Sequence, residues 1–192
     1  MKKKIFTWNY TVNYSHSIVR PKMTKLYMKH SFKLFFLFSI CVLACKFPNK
    51  NQAKKLNGAV CDVYDSLVYK NNLWNGTYEE ARVSKNFTKL VLIRIQLAYF
   101  IDENIETINQ LKDIGGSEGL RKSELDLLDF EKQKIMDYYL PVENFDASTS
   151  DDKLIKWTNK LTDIANTERT KQEEFLKLQK EYTEKNGLKP RD

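Results

Sequence analysis

Apolar residues recur along most of the chain at the three- and four-residue spacings that predict amphipathic helices. The first predicted helix spans Ala53–Leu73. Its apolar stripe consists of Leu56, Val60, Val63 and Leu67. The dipeptide Asn71-Asn72 and the following Asn75-Gly76 predict the turn that ends this helix.

The second predicted helix spans Thr77–Ile114. Thr77 is a candidate N-cap, and Glu80 three positions later completes a capping box. The segment Leu90–Ile101 is apolar on nearly every side, which predicts a central helix, although a buried strand over Leu90–Ile95 is the alternative. The flanking helical pattern favours the helix. Its predicted buried face is Val83, Phe87, Leu90, Leu97, Ile101, Ile105 and Ile108.

The glycine-rich segment 115–119 predicts a flexible turn between helices. It lacks the Lys-Ser/Thr pair of a phosphate-binding loop and follows a helix rather than a strand. The third predicted helix spans Leu120–Leu140 and ends before Pro141, which cannot continue a helix. Its predicted buried face is Leu125, Leu128, Ile135 and Tyr139.

The fourth predicted helix, Asp151–Asn186, has the clearest periodicity, with Ser150 or Asp151 as its cap and Gly187 just beyond its end. A heptad seam runs along it: Leu154, Trp157, Leu161, Ile164, Glu168, Lys171, Phe175, Leu178 and Tyr182. Glu168 and Lys171 form either a buried functional pair or, as we favour, a stretch that passes the end of a partner helix into water.

These elements predict an all-α fold, an antiparallel four-helix bundle with two long helices. We expect a lipoprotein signal peptide to precede it. An apolar run over residues 34–44 follows Lys29 and Lys33, as in a secretory signal. The run is shorter than the ~20 apolar residues that a membrane-spanning helix needs.

The predicted layout has five segments. Residues 1–27 are an unstructured or mis-called extension, with Met1, Met23 and Met28 as alternative starts, and residues 28–44 are the signal peptide. Residues 45–52 are a lipidated cysteine and its tether, residues 53–188 the bundle, and residues 189–192 a tail.

The net charge of +7 comes from the front segment. The first 44 residues hold eight basic residues and no acidic one, which leaves 24 basic against 25 acidic residues from Cys45 onward. This near-neutral balance argues against a nucleic-acid partner. Both histidines also precede Cys45, so the mature chain offers no histidine to a metal or to acid–base catalysis.

Two of the three cysteines lie in or next to the signal. Cys61 alone remains inside the predicted bundle, so the bundle can form no internal disulfide, and we expect Cys61 to be a buried apolar residue. The segment Val42-Leu43-Ala44-Cys45 resembles a bacterial lipobox, which implies that Cys45 is the lipidated first residue of the mature protein. A plain signal peptide that leaves Cys45 unmodified is the alternative.

Three features together resemble the small helical surface or envelope lipoproteins of spirochaetes and Bacteroidetes. They are the lipobox, the early helical segment Val63–Val68, and the C-terminal pattern of Glu168, Gln172, Phe175, Gln179, Tyr182 and Lys185-Asn186. The resemblance implies a fold and a location but no activity and no catalytic residues. The segment Lys46–Lys50 lacks the acidic run that accompanies surface export in the similar Bacteroidetes lipoproteins, which favours the periplasmic face of the outer membrane.

We therefore expect a non-catalytic binding or scaffolding module of the cell envelope, without a cofactor or metal and held to the membrane by lipid on Cys45. An envelope or surface protein would bind an exposed apolar face of the second or fourth helix. The alternative is a carrier of a small apolar ligand, with a pocket lined by Trp74, Tyr99, Phe100, Phe130 or Trp157. An enzyme would need two converging carboxylates, whereas the pattern spreads the carboxylates over helix surfaces. A retained front segment acting as a signal anchor would change the compartment.

Overall fold

A computed structural model describes residues 50–189, and within them four α-helices occur and no strand. The helices are α1 (Lys50–Ser84), α2 (Thr88–Gln110), α3 (Glu118–Lys134) and α4 (Asp151–Lys185). A π-helical turn over Ile135–Tyr139 and a 3-10 turn over Leu140–Asn144 follow α3 directly. The predicted all-helical fold class is confirmed for this part of the chain.

Helices that pack together run antiparallel, as side-chain contacts show for α1 with α4 and for α2 with α3. Between α1 and α4, the Tyr182 hydroxyl donates to the carbonyl oxygen of Ala53 at one end, and the Tyr78 and Thr158 hydroxyls meet at the other. Between α2 and α3, Arg121 at the start of α3 donates to the carbonyl oxygen of Leu111 just after α2, and Lys132 near the end of α3 pairs with Asp102. Each helix therefore packs along its length against the helix that precedes it, and α4 also returns to α1.

One series of buried residues on the inner side of α1 repeats every seven positions. These residues are Ala53, Val60, Leu67, Trp74 and Ala81. They meet Leu90, Leu97 and Ile101 of α2, Leu127 and Leu128 of α3, and Phe175 of α4 in one apolar cluster. The seven-residue repeat keeps one face of each helix against its neighbours over several turns.

The predicted turn at Asn75-Gly76 is wrong, because α1 continues through it to Ser84. Trp74 and Tyr78 carry the buried face across this point, and their rings stack with centroids 5.4 Å apart. Thr77 caps no helix, and its hydroxyl donates instead to the carbonyl oxygen of Leu73 one turn earlier. Burial of two aromatic rings outweighs the local preference of Asn and Gly for a turn.

The chain turns instead at residues 85–87. Lys85 adopts a positive φ of 54°, and the Asn86 side chain accepts hydrogen bonds from the backbone N–H and the hydroxyl of Thr88. The Lys85 ammonium group donates to the carbonyl oxygen of Thr149 and pairs with Asp151 at 2.8 Å. The two long helices are consequently α1 and α4, whereas the sequence predicted the second and fourth.

The expectation that the second helix is central, because Leu90–Ile101 is apolar on nearly every side, is also wrong. Leu90, Leu97, Ile101 and Ile108 are buried, but the opposite side of α2 faces solvent. Val83, predicted to belong to this buried face, lies on α1 and is 80% exposed. The alternative of a strand over residues 90–95 is excluded, since this segment is helical.

The turn between α2 and α3 follows the prediction for the glycine-rich segment. Gly115 and Gly116 both have positive φ, 66° and 75°. A Cβ atom on Gly115 would lie 2.2 Å from Oδ1 of Asn186, so the end of α4 packs directly on this turn. Asn186 in return donates from its amide to the Gly115 carbonyl oxygen. The predicted start of α4 at Asp151 is confirmed, with Ser150 as the cap that accepts from the Lys153 N–H, and α4 ends at Lys185, one residue before the predicted end.

None of the helices within residues 50–189 is both long and apolar enough to cross a membrane.

Candidate functional site

The outer side of α2 presents a row of exposed apolar side chains, which we call the α2 stripe. It consists of Leu92, Ile95 and Tyr99, whose side chains are 61%, 49% and 71% exposed. Their spacing of three and then four residues places them on one side of the helix, opposite buried Leu97. The apolar face that the sequence predicted on helix 2 or helix 4 is therefore present on α2.

Charged and apolar residues border the α2 stripe on opposite sides. Lys89, Gln96 and Glu103 follow one another at seven-residue spacing along one flank, and all three are exposed. Val91, Ala98 and Ile105 repeat at the same spacing along the other flank. Such a pattern is that of a coiled-coil surface, in which the apolar row contacts a partner helix and the flanking row selects its orientation.

A shallow hollow of about 540 Å³ adjoins the α2 stripe on the side of α1. Ile95 and Tyr99 line it together with Phe100 and Glu103 of α2 and Lys70 of α1. The Lys70 ammonium nitrogen lies 5.2 Å from the centre of the Phe100 ring, a cation–π contact that joins the two helices. The hollow extends the apolar surface beyond α2 itself.

The second notable feature is polar and lies in the interior, where one lysine contacts two carboxylates. The Lys134 ammonium nitrogen, on α3, lies 2.9 Å from Glu131 and 2.6 Å from Glu168 of α4. Asn71 of α1 donates its amide to Glu168 at 3.2 Å, and Gln172 donates to the same oxygen from one turn further along α4. This buried charge cluster links three helices.

Aromatic rings close the cluster on one side. The Lys134 ammonium nitrogen lies 5.2 Å from the centre of the Tyr139 ring, and that ring stacks on Trp74 with centroids 3.5 Å apart. Both rings are fully buried. The π-helical turn at residues 135–139 places Tyr139 here by shifting the end of α3.

Burial and charge act in opposite directions within this cluster. Burial disfavours the charged form of Lys134, but the combined attraction of the surrounding acidic groups is larger and raises its pKa. Burial raises the pKa of Glu131, although the charge of Lys134 lowers it. The ionised form of Glu131 therefore depends on the charge of Lys134 beside it.

Glu124 lies one heptad before Glu131 on α3 and is fully buried. Neither of its carboxyl oxygens has a hydrogen-bond partner among the described residues. Burial, reinforced by the nearby charge of Asp65, raises the pKa of Glu124 to about 8. Glu124 is thus largely protonated at neutral pH, the state that costs least in an apolar environment.

The burial of Glu124 and Glu131 was not predicted from the sequence, because the pattern spreads the acidic side chains over helix surfaces and suggested a buried position only for Glu168. The signal that could have found them is the heptad register of α3. Leu120, Leu127 and Lys134 form one seven-residue series, and Glu124 and Glu131 form a second beside it. Both series face inward together with Leu128.

The expectation for the polar middle of the fourth helix is wrong in its favoured form. Glu168 is buried, and its partners are Lys134 and Asn71 rather than Lys171. Lys171 is half-buried, with its ammonium nitrogen 5.6 Å from the centre of the Phe130 ring. The seam therefore does not extend into water at this point, since α3 and α1 both cover it.

Five aromatic residues were expected around a ligand pocket, and the structure separates them. Trp74 is in the core, Phe130 lies beside Lys171, and Trp157 packs edge-on against Phe145 and donates to the Tyr138 carbonyl oxygen. Of the five, only Tyr99 and Phe100 line the surface hollow.

Only some of the residues considered for lipidation, disulfide formation or metal binding lie within residues 50–189. Cys61 is buried on α1, as predicted. The predicted lipidation site, Cys45, lies outside the described residues, as do both histidines. Among residues 50–189, no three His, Cys, Asp or Glu side chains come together as metal ligands.

No protein-family model matches the chain, and neither a curated protein nor a solved structure matches it.

Proposed function

We propose that the chain is a lipid-anchored module of the bacterial cell envelope that binds a protein partner through the outer side of α2, without a catalytic role. The α2 stripe carries this proposal. Three large apolar side chains within two turns, each about half or more exposed, are costly to leave in water and form the kind of surface that marks a protein interaction site.

The four antiparallel helices form, in this proposal, a four-helix bundle that holds α2 rigid from behind. Leu90, Leu97 and Ile101 anchor α2 in the core on the side opposite the stripe. Arg94 of α2 pairs with Glu143 in the segment that follows α3, and both side chains are largely buried. A rigid helix loses little conformational entropy when it binds, which favours affinity.

The proposed location in the cell envelope is based on the sequence. The lipobox-like segment Val42–Cys45 lies at the end of the signal-like apolar run, and acyl chains on Cys45 would hold the bundle at the membrane. Five residue-to-residue steps lead from Cys45 to Lys50, the first described residue of α1. At about 3.5 Å per residue they span no more than roughly 18 Å, which would keep α1 close to the lipid surface.

The proposed lipid anchor is tested by comparing the intact mass of the membrane-extracted native protein with that of a Cys45→Ser variant. A chain that begins at Cys45 and carries diacylglycerol, together with an unprocessed variant, supports the proposal. An unmodified chain that begins elsewhere contradicts the lipid anchor and leaves the α2 interface to be tested separately.

The interface is tested by photo-crosslinking in cells with a benzophenone amino acid placed at Ile95. The matched control places the same group at Asp163, an exposed position on α4. We expect a discrete protein adduct from position 95, none from position 163, and loss of the adduct when Leu92→Asp is added. Equal adducts from both positions, or no adduct from position 95, would overturn the binding role of the α2 stripe.

A carrier of a small apolar ligand is the second candidate, since Tyr99 and Phe100 line the surface hollow. A naphthalene-type fluorescent probe distinguishes it from the first. A carrier binds the probe at one site per chain and loses it on Phe100→Ala, whereas a protein-binding face shows no saturable probe site.

A further inference from the structure

The α2 surface carries charges of opposite sign at its two ends. Lys89 lies one turn before Leu92, and Glu103 lies one turn after Tyr99, and both are exposed on the same flank of the α2 stripe. Gln96 lies midway between them, seven residues from each. The two charges are thus about 21 Å apart along the helix, at 1.5 Å per residue.

The charges of this flank are complementary to those of a second α2 that runs in the opposite direction. If a second α2 packs antiparallel on the first with its Gln96 against Gln96, Lys89 of each copy meets Glu103 of the other. In antiparallel coiled coils the residues of one flank face the same flank of the partner, so both pairs form at once. A parallel pair would place this charged flank of each copy against the apolar flank of the other, and neither charge would be paired.

The apolar rows agree with the same alignment. In the antiparallel pair, Leu92 of one copy packs beside Tyr99 of the other, and the two Ile95 side chains lie next to the symmetry axis. The uncharged flank of Val91, Ala98 and Ile105 faces itself. A twofold axis generates such an interface from a single surface patch, which is how most homodimers assemble.

We infer that the partner of the α2 stripe is a second copy of this chain, bound antiparallel through α2 with reciprocal Lys89–Glu103 ion pairs. The inference rests on the proposed binding role of α2 and names its partner. The hollow beside Tyr99, which Lys70 of α1 and Glu103 also line, then lies at the edge of the dimer.

The test is a charge exchange in the full chain, with photo-crosslinking from Gln96 in cells as the readout. The intact mass of the adduct identifies its composition. We expect an adduct of two copies of the chain. Lys89→Glu and Glu103→Lys should each weaken it about tenfold, since each places two like-charged pairs across the interface, and the double variant should restore it.

Matched controls separate the charge effect from a general loss of folding. Lys122→Glu makes the same change of charge as Lys89→Glu at an exposed lysine of α3 and should leave the yield of the adduct unchanged. The circular dichroism spectra of all variants should agree, because none of these side chains is buried.

Each remaining outcome has one meaning. An adduct with a different protein overturns the dimer and leaves the proposed binding role intact. A dimer adduct whose yield is unchanged by both charge reversals overturns the antiparallel arrangement. No adduct from Gln96 or from Ile95 overturns the dimer and the proposed binding role together.

Discussion

The Lys134 ammonium group on α3 donates a 2.6 Å hydrogen bond to the Glu168 carboxylate on α4, although both residues lie in the core. Glu131 completes the cluster from one turn earlier on α3. A single positive charge is thereby shared between two carboxyl groups. Such a buried arrangement is costly to form and more costly to break, since removal of one member leaves charges without a partner.

Lys134→Met should destabilise the fold by about 3–5 kcal/mol, because two buried carboxyl groups lose their cation. Urea unfolding measures this change from the midpoint and slope of the transition. The matched control is Lys132→Met, two residues earlier, where an exposed pair with Asp102 is lost and no more than about 1 kcal/mol is expected. Equal losses in the two variants would show that the cluster is not buried as described.

Glu124 should make the fold less stable as the pH rises. Its pKa of about 8 in the folded chain exceeds the ordinary carboxyl value of 4.5. The folded state therefore binds one proton more than the unfolded state between these values. The stability that this proton supplies is complete below pH 4.5 and is lost as the pH rises through 8.

Glu124→Leu removes the titrating group. Relative to the unaltered chain, the variant should gain roughly 2–4 kcal/mol of stability between pH 5 and pH 8.5. Urea unfolding at several pH values measures the difference. Asp126→Asn, at an exposed position of the same helix, is the control. A constant difference across this range would contradict the buried, titrating state of Glu124.

Gly76→Ala tests whether α1 is continuous. Nothing lies within 4 Å of the position of an added Cβ atom, and Gly76 is in the helix interior. Alanine should therefore stabilise the protein by about 0.5–1 kcal/mol. A turn at this position, as its sequence suggests, would give no such gain, and thermal unfolding distinguishes the two.

Gly115→Ala should have the opposite effect. Its φ of 66° disfavours any side chain, and an added Cβ atom would collide with the side chain of Asn186. The cost should be about 1–3 kcal/mol, because the backbone is strained and the Asn186 side chain must move away from the turn. A neutral result in the same thermal unfolding assay would contradict the close packing of this turn.

Trp74→Ala should cost about 3–5 kcal/mol, since it removes a fully buried ring that stacks on both Tyr78 and Tyr139. Tyr99→Ala, at an aromatic residue that is 71% exposed, should change stability by about 0.5 kcal/mol or less. Chemical denaturation of both variants measures this contrast. A small effect of Trp74→Ala would indicate a loosely filled interior, as a ligand carrier requires.

Apolar periodicity determined much of the fold directly. It predicted an all-helical chain, the bounds of α4 with its Ser150 cap, the glycine turn before α3, and burial of Leu56, Val60, Val63 and Leu67 on α1. These features depend on residues within a few turns of one another. Local spacing, capping and backbone preferences are therefore sufficient to specify them.

The tertiary structure alone decided the remainder, because partners distant in sequence fixed it. The stacking of Trp74 on Tyr139 keeps α1 helical through a segment whose residues favour a turn. Lys134 and Asn71, from two other helices, make the interior acceptable to Glu168. Likewise, no helix covers the apolar outer side of α2 within residues 50–189. Hydrophobic spacing shows which side chains are apolar, whereas only the packing of the helices decides which of them remain in contact with water.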